Sequence, residues 1–262
     1  MHCSASSTAT TLPRPNLSNP RRSWDTCPVT ASPLPLLVLL PGMDGTGLMF
    51  EPFVKAAADF ETRVVRYPPE LTSYAECLRL ARRALPTERP FLLLGESFSG
   101  PIAIALAAEH PAGLVGLVLC VTFARNPRPG LAWAAPIARA LPPLRLPLWL
   151  LQRLLLGRRK PPQALVDLVQ TMLPQVPQAT LKERLLAVVA VDHTPLLGQI
   201  QVPILALCAS GDRLVPASAT RWLREHLAAL DILTLKGPHW LLQTRPEAAV
   251  QGLRDFLKRI GA

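Results

Sequence analysis

The chain has 262 residues, enough for one well-packed domain, and 49% of them are apolar. This fraction is typical of globular proteins and excludes both wholesale disorder and a membrane bundle. The formal net charge of +10 raises the question of a nucleic-acid partner. However, no aromatic residues alternate with the basic ones, and no helix-turn-helix or zinc-finger spacing is present. We therefore predict a globular protein that binds no nucleic acid.

Residues 1–33 differ in composition from the rest of the chain. They are rich in Ser, Thr, Pro and Arg, contain Asp25 as their only acid and show no apolar periodicity. This composition predicts a disordered N-terminal tail, followed by a single domain over residues 34–262. The tail weakly resembles an organelle transit peptide, although its prolines would interrupt an amphipathic helix. We expect a cytoplasmic protein, with an organellar location as the alternative.

The five cysteines are scattered and form no Cys-x-x-Cys pair. Cys120 and Cys208 lie in apolar runs that are typical of buried strands. We therefore predict buried free thiols in a reducing compartment, rather than disulfides or a metal site.

From Pro35 onward, short apolar runs alternate with amphipathic segments. Runs that are apolar on both faces predict strands covered by helices on both sides. These runs are Leu36–Leu40, Arg63–Tyr67, Phe91–Leu94, Leu114–Val121, Ile204–Ala209 and Ile232–Leu235. Ser73 and Glu76 have the spacing of a capping box at the start of a helix to Leu85, and a last helix begins near Pro246. The alternation predicts an α/β fold with a doubly wound, mostly parallel sheet.

One stretch, about residues 125–195, interrupts this alternation. It is rich in proline, contains Leu-rich amphipathic pieces such as Leu148–Leu156 and is too long for a loop, so we predict a helical insertion on the sheet. It contains only three acids, and its basic residues are Arg125, Arg128, Arg139, Arg145, Arg153, Arg158, Arg159, Lys160, Lys182 and Arg184. This excess of positive charge makes the insertion a candidate for peripheral contact with a membrane or an acidic carrier.

The sharpest motif is Gly95-Glu-Ser97-Phe-Ser99-Gly, between an apolar strand and a helix of small residues. This is the strand–turn–helix context of a nucleophile elbow, in which Gly95 and Ser99 are the small neighbours that a strained turn requires. The helix N-terminus behind the turn favours developing negative charge. Ser97 is the predicted nucleophile. An ordinary strand–helix turn is the alternative, and Ser99, at the wrong position in the elbow, is the rival nucleophile.

Two later strands end on residues that would complete a catalytic triad. Asp212 follows the strand Ile204–Ala209, and His239 follows the strand Ile232–Leu235. Because the carboxyl ends of parallel strands meet at one edge, both side chains should emerge beside Ser97. His239 would then be the base, and Asp212 would hold its tautomer and stabilise the imidazolium. Each residue has an alternative interpretation when it is considered alone: Asp212 could be a helix N-cap, and His239 could be an ordinary loop histidine.

The loop Pro41–Gly47 follows the first strand, where the second oxyanion donor should lie. By position, the backbone N–H groups of Met43 and Phe98 would bind the tetrahedral oxyanion. Asp44 either shapes this loop through side-chain hydrogen bonds or only makes the turn. A phosphate-binding loop is the rival interpretation, but the loop contains neither Gly-Lys-Ser/Thr nor Gly-x-Gly-x-x-Gly.

Three further histidines are weaker candidates. His193, next to Asp192 in the insertion, either contacts substrate or is an exposed or capped histidine. His110 lies at a helix end and His226 on a solvated helix face, so a structural role is expected for both.

Four motifs follow one another in the order found in the α/β-hydrolase superfamily, which the chain resembles from about residue 35 to its C-terminus. They are Leu-Pro-Gly-Met-Asp-Gly-Thr-Gly, Gly-Glu-Ser-Phe-Ser-Gly-Pro, Gly-Asp-Arg-Leu-Val-Pro and Gly-Pro-His. The outline is similar to carboxylesterases typified by pimeloyl-acyl-carrier-protein methyl esterase. The first two motifs are also similar to the hydrolase-like half of plant phytyl ester synthases, which transfer acyl groups.

The resemblance implies a triad of Ser97, Asp212 and His239, with Met43 and Phe98 as oxyanion donors. It also implies a helical cap at about residues 123–196, between core segments 34–122 and 197–262. The sequence departs from the family pattern at two places. Pro41 stands where a histidine usually precedes the oxyanion-loop glycine, and the antiparallel strands that normally open the fold are not recognisable.

These motifs together predict a serine hydrolase that cleaves a small-molecule carboxylic ester or thioester, with an acyl-enzyme on Ser97. The leucine-rich cap suggests an apolar acyl group, and no metal or organic cofactor is required. Acyl transfer to an alcohol is the alternative chemistry. A non-catalytic protein of this fold, docked on a membrane through its basic cap, is the alternative class.

Overall fold

A computed structural model describes residues 34–143, 148–157, 161–227 and 229–262. Within these residues, six parallel strands form one sheet in the order β2-β1-β3-β4-β5-β6. The strands are β1 (Leu36–Leu40), β2 (Thr62–Val64), β3 (Phe91–Glu96), β4 (Leu114–Cys120), β5 (Ile204–Ala209) and β6 (Leu230–Leu235). The predicted α/β fold with a doubly wound parallel sheet is confirmed.

Side chains of the central strands alternate between two apolar cores, one on each face of the sheet. In β1, Leu36, Val38 and Leu40 enter one core, whereas Leu37 and Leu39 enter the other. The helices that cover the first core are α2 (Tyr74–Arg83), α3 (Gly100–Ala108) and α8 (Ala217–His226). Those that cover the second are α1 (Glu51–Ala56), α9 (Leu241–Thr244) and α10 (Pro246–Ile260). Burial on both faces explains why the central strands are continuous apolar runs.

The edges of the sheet differ from the prediction. β2 ends at Val64 rather than at Tyr67, and β6 begins two residues before Ile232. The expectation that helices cover both faces of every strand is wrong for β6, where Ile232 is 38% exposed. A short apolar run does not distinguish a central strand from an edge strand, because the number of neighbouring strands is a property of the whole sheet.

The segment between β4 and β5 is helical in its described residues. Its helices are α4 (Ala135–Ala140), α5 (Leu148–Leu156), α6 (Gln163–Met172) and α7 (Gln178–Ala190). Three of its prolines lie at helix starts, where the missing N–H group is not needed: Pro136 in the first turn of α4, and Pro162 and Pro177 at the N-caps of α6 and α7. An antiparallel bridge between Arg125 and Asp192 joins the two ends of the segment.

Several sequence-based expectations concern the termini and the cysteines. The predicted disordered tail lies outside the described residues, and the cytoplasmic location stays a prediction. Among the described residues, Cys77, Cys120 and Cys208 are free thiols, with Cys120 buried and Cys208 partly buried. Burial raises the pKa of the Cys120 thiol, which keeps it protonated and unreactive. No helix in the described part of the chain is both long and apolar enough to cross a membrane.

Candidate active site

Ser97 lies at a sharp turn directly after β3, with a φ of 50° in the left-handed region. This conformation is strained for a residue other than glycine, and such strain is typical of functional sites. Close packing requires small residues near Ser97 on both sides of the turn. A Cβ atom at Gly95 would lie 2.7 Å from Ala103 Cβ, and one at Gly100 would collide with Thr122. The Thr122 hydroxyl donates to the carbonyl oxygen of Ser97 and fastens the turn to the end of β4.

Two hydrogen bonds connect Ser97, His239 and Asp212. Ser97 Oγ lies 2.9 Å from His239 Nε2, and His239 Nδ1 lies 2.7 Å from Asp212 Oδ2. Because a carboxylate only accepts hydrogen bonds, Nδ1 donates to Asp212 and Nε2 is left to accept the serine proton. The side chains of His239 and Asp212 are 5% and 6% exposed, so both bonds lie away from bulk water.

The Asp212 carboxylate is held from its other side by its own turn. Its Oδ1 atom accepts hydrogen bonds from the amides of Leu214 and Val215, at 2.8 and 2.9 Å. The loops that carry Asp212 and His239 are joined by a backbone bond of 2.9 Å from the Gly211 amide to the Gly237 carbonyl. The sheet order places β5 beside β6, so these two loops are neighbours at one edge.

Ser99 has a different environment from Ser97. It is completely buried, and its hydroxyl donates to the carbonyl oxygen of Pro41 at the end of β1. Since the Ser99 proton is used in that bond, the Tyr67 hydroxyl donates to Ser99 Oγ at 3.0 Å. Burial raises the pKa of Tyr67, which keeps this donor protonated. The serine at this position therefore links the elbow to the loop after β1, and it is not placed to act as a nucleophile.

The loop after β1 is shaped by Asp44, one of the two roles considered for this residue. Its Oδ1 atom accepts hydrogen bonds from the amide and the hydroxyl of Thr46, at 2.9 and 2.5 Å. The amide of Met43 donates to no protein acceptor within the described residues, so it is free to bind a ligand oxygen. Phe98 follows the nucleophile turn, and its buried ring stacks on Tyr74 with centroids 4.6 Å apart. The pairing of the Met43 and Phe98 amides in an oxyanion hole stays a prediction.

Arg184 of α7 is a site-supporting residue that the sequence does not reveal. The sequence places it among the surface charges of the insertion, yet its side chain is completely buried. Its guanidinium donates to the carbonyl oxygens of Met43 (2.9 Å) and Asp44 (3.0 Å). It also donates to the carbonyl oxygens of Tyr67, Pro68 and Leu71. One side chain of the insertion thus joins the Met43 loop to the segment after β2.

Glu96 is a second residue that the motif alone does not identify as unusual. It is the last residue of β3, it is buried, and its Oε1 atom accepts a hydrogen bond of 2.9 Å from Gln243 Nε2. Burial raises the pKa of Glu96 to about 7, with a smaller contribution from nearby Asp44. The signal in the sequence is a carboxylate in the last position of an otherwise apolar, fully buried strand.

An apolar cluster lies next to His239 and contains side chains from both the insertion and the core. Trp240 directly follows His239, and its amide donates to the carbonyl oxygen of Leu155 in α5, at 3.2 Å. Met49 follows the Met43 loop and belongs to the same cluster. The other buried members are Leu156, Leu165, Leu168, Val169, Met172 and Val176. The insertion therefore packs apolar side chains against the residue that follows His239.

The other histidines of the described residues are His110, His193 and His226, and they are not part of the hydrogen-bond chain from Ser97 to Asp212. His193 Nδ1 donates to the carbonyl oxygen of Pro101 at 2.7 Å, and contact with a substrate stays a prediction. His110 is exposed, and His226 stacks on Trp222 with ring centroids 3.9 Å apart. Among the described residues, no group of three or more His, Cys, Asp and Glu side chains is placed to hold a metal ion.

A parallel doubly wound sheet with a strained serine turn after its third strand defines the α/β-hydrolase class. The model of the alpha/beta hydrolase family matches residues 20–251, and the chain belongs to this family.

The similarity to individual known proteins is limited. The chain is 33% identical over 104 residues to phytyl ester synthase 1 of Arabidopsis thaliana, a chloroplast protein. That alignment covers 36% of this chain and only 15% of the relative. An esterase from Exiguobacterium antarcticum superposes with a TM-score of 0.70 at 16% identity, covering 86% of this chain and 92% of the esterase. A lipase-esterase related protein from Clostridium acetobutylicum gives a TM-score of 0.70 at 14% identity, covering 86% and 95%. At these identities the two superpositions establish the fold alone.

Proposed function

We propose that the protein is a serine hydrolase that cleaves a carboxylic ester or thioester through an acyl-enzyme on Ser97. The observation that carries this proposal is the pair of hydrogen bonds, of 2.9 and 2.7 Å, that connects Ser97 through His239 to Asp212. These distances meet the geometric requirement for a nucleophile, its general base and the group that orients the base.

In the first half of the reaction, Ser97 Oγ attacks the carbonyl carbon while its proton passes to His239 Nε2. The carbonyl oxygen becomes an oxyanion, which the amides of Met43 and Phe98 bind. A donor of this kind contributes about 3 kcal/mol in comparable sites. The tetrahedral intermediate then collapses: the bond to the leaving oxygen or sulfur breaks, and the imidazolium of His239 returns the proton to that atom.

In the second half, water enters where the alcohol or thiol has left. His239 Nε2 takes a proton from the water as its oxygen attacks the acyl carbon, and a second oxyanion forms at the same amides. The bond to Ser97 Oγ breaks, Oγ recovers the proton from His239, and the carboxylic acid is released. Asp212 stays ionised throughout and stabilises the imidazolium in both halves.

The apolar cluster that contains Trp240, the residue after His239, supports a proposal for the substrate class. Met49, Trp240 and the buried side chains of α5 and α6 form one apolar cluster that includes the residue after His239, and a charged acyl group in such surroundings would require a paired charge. We therefore propose an apolar acyl group. Acyl transfer to an alcohol is the second candidate, because the chain is similar over 104 residues to a protein whose name describes an ester synthase.

The first experiment is labelling with a fluorophosphonate, which reacts with an activated serine. The wild-type protein is expected to be labelled and Ser97→Ala not to be labelled. Ser218→Ala is the matched control, since Ser218 is an exposed serine on α8 and its loss should leave labelling unchanged. An unlabelled wild-type protein would refute the serine-enzyme proposal and would favour a non-catalytic role.

The second experiment separates the substrate classes. A series of p-nitrophenyl esters is expected to show kcat/KM rising with acyl chain length, since each buried methylene contributes about 0.8 kcal/mol, or roughly fourfold. A flat profile would exclude the apolar acyl group. Product analysis with and without a long-chain alcohol then distinguishes hydrolysis, which releases the free acid, from acyl transfer, which forms a new ester.

A further inference from the structure

Large apolar side chains are exposed mainly in one part of the molecule. Among the described residues, five of the six exposed large apolar side chains lie in the insertion. Their exposed fractions are 55% for Leu131, 70% for Trp133, 54% for Ile137, 47% for Leu141 and 51% for Leu185. The sixth, Ile232, lies alone on β6 and is 38% exposed. A clustered set of this kind marks a binding surface, whereas an isolated exposed residue does not.

The spacing of three of these residues places them along one side of α4 and the turn before it. Trp133, Ile137 and Leu141 are successive residues four apart, running from the 3₁₀ turn Pro129–Ala134 through α4 to its end. Side chains four residues apart lie one above the other on a helix face.

Leu185 extends this row from the neighbouring helix. Lys182 Nζ on α7 donates to the carbonyl oxygens of Arg139 (2.9 Å) and Leu141 (2.6 Å), which fastens α7 to the end of α4. Leu185 is three residues after Lys182 and so faces the same side of α7. We call the set Trp133, Ile137, Leu141 and Leu185 the cap stripe.

Most of the cap stripe lies in a stretch of the sequence that contains cations and no acids. No Asp or Glu occurs in the sequence from His110 to Val166, whereas eight arginines and lysines do. Arg139 is exposed within α4, and Lys182 contacts neutral carbonyl groups, so its charge is not cancelled there. Glu183 on α7 is the nearest acid in sequence and is also exposed, but it lies about 100° further around the helix than Lys182.

The geometry points to the surface of an anionic lipid bilayer as the occupant of the cap stripe. A short helix with Trp, Ile and Leu on one side and cations beside them is the arrangement of helices that lie in the plane of a membrane interface. The indole of Trp133 suits the headgroup level, where an amphipathic ring is most stable. The cations add attraction to anionic headgroups, and the stretch without acids removes the repulsion that would oppose it.

The test is sedimentation with vesicles of phosphatidylcholine, prepared with and without phosphatidylglycerol. The Ser97→Ala background is used, so that catalysis cannot alter the lipid and the outcome does not depend on the proposed hydrolase activity. We expect binding to the mixed vesicles that weakens as salt is added, and little binding to pure phosphatidylcholine.

Matched variants locate the contact. The double substitution Trp133→Ser and Ile137→Ser is expected to lower the partition coefficient on mixed vesicles by about tenfold or more. Ile232→Ser removes an exposed isoleucine on β6, outside the insertion, and should leave the partition coefficient unchanged. Arg139→Glu is expected to lower the partition coefficient about tenfold. Arg224→Glu, which reverses the charge of an exposed arginine on α8, should change the partition coefficient far less. Circular dichroism of each variant checks that the fold is retained.

A second readout reports insertion directly. Brominated phosphatidylglycerol vesicles should quench tryptophan emission in the Ser97→Ala protein, and Trp133→Ser should remove most of that quenching. Equal binding by the stripe variants and by Ile232→Ser would overturn the proposal. Failure to bind any anionic vesicle would also overturn it, and capture of an acidic carrier protein in that case would assign the surface to a protein partner.

Discussion

Arg184→Met keeps an unbranched side chain in the insertion but removes the guanidinium that holds two core loops. In the wild-type protein the five N–H groups of this guanidinium make six hydrogen-bond contacts of 2.8 to 3.4 Å with carbonyl oxygens in residues 43–44 and 67–71, so one N–H group of Nη2 is shared. The substitution leaves the carbonyl groups of Met43, Asp44 and Tyr67 without a protein donor in the described residues, and each such group costs about 1–3 kcal/mol. Burial of the cation itself is unfavourable by several kcal/mol and is relieved by the substitution, so a net loss of about 3–5 kcal/mol is expected.

The same substitution should slow catalysis if the proposed mechanism is correct. The nucleophile elbow positions the Phe98 amide, and the hydrogen bond from Thr122 to Ser97 holds the elbow without any contribution from Arg184. The Met43 loop, in contrast, loses the guanidinium that donates to the Met43 carbonyl oxygen. Losing one oxyanion donor lowers kcat by about 10²-fold and leaves KM nearly unchanged, because the donor acts mainly in the transition state. A boronic acid forms a tetrahedral adduct with the serine, so its affinity should fall by about the same factor as kcat. The affinity for the carboxylic acid product should not change.

Urea denaturation and steady-state kinetics measure the two effects. Arg63→Met is the matched control, since Arg63 also donates to a backbone carbonyl (Ala84 O at 3.0 Å) but is exposed. It should change the free energy of unfolding by no more than about 0.5 kcal/mol and leave kcat unchanged. A loss of stability in Arg184→Met with an unaltered kcat and boronate affinity would refute the link between this arginine and the Met43 loop.

Three further outcomes are expected. Asp212→Asn should lower kcat by about 10⁴-fold with an unchanged melting temperature, because an amide stabilises the wrong tautomer of His239; a small effect would remove Asp212 from the triad. Ser99→Ala should lower the free energy of unfolding by about 1–3 kcal/mol, since it leaves the buried Tyr67 hydroxyl without its acceptor, while fluorophosphonate labelling persists. Burial raises the pKa of Glu96 from 4.5 to about 7, so the folded protein holds a proton between these pH values that the unfolded chain releases. Stability should therefore fall as pH rises through this window, and urea titrations of Glu96→Gln should show a flatter profile.

The arrangement of the three candidate catalytic residues was predictable because each follows a strand. Apolar runs mark the strands, parallel strands end at one edge, and the order Ser97, Asp212, His239 then brings the three side chains together. The capping box at Ser73 and the helices that begin at a proline were also predictable, because both features depend on residues close together in the sequence.

The features that only the tertiary structure decided depend on contacts between distant segments. Arg184 is more than 100 residues from the loops that it joins, and by composition it is one more cation in a basic stretch. The exposure of Ile232 depends on β6 being at the sheet edge, and the buried carboxyl group of Glu96 finds its hydrogen-bond partner in Gln243, which is 147 residues away. Local patterns specify elements and their order, since turns and periodicity act over a few residues. Burial, and with it the protonation and pairing of a charged side chain, is set by what the fold packs against that side chain.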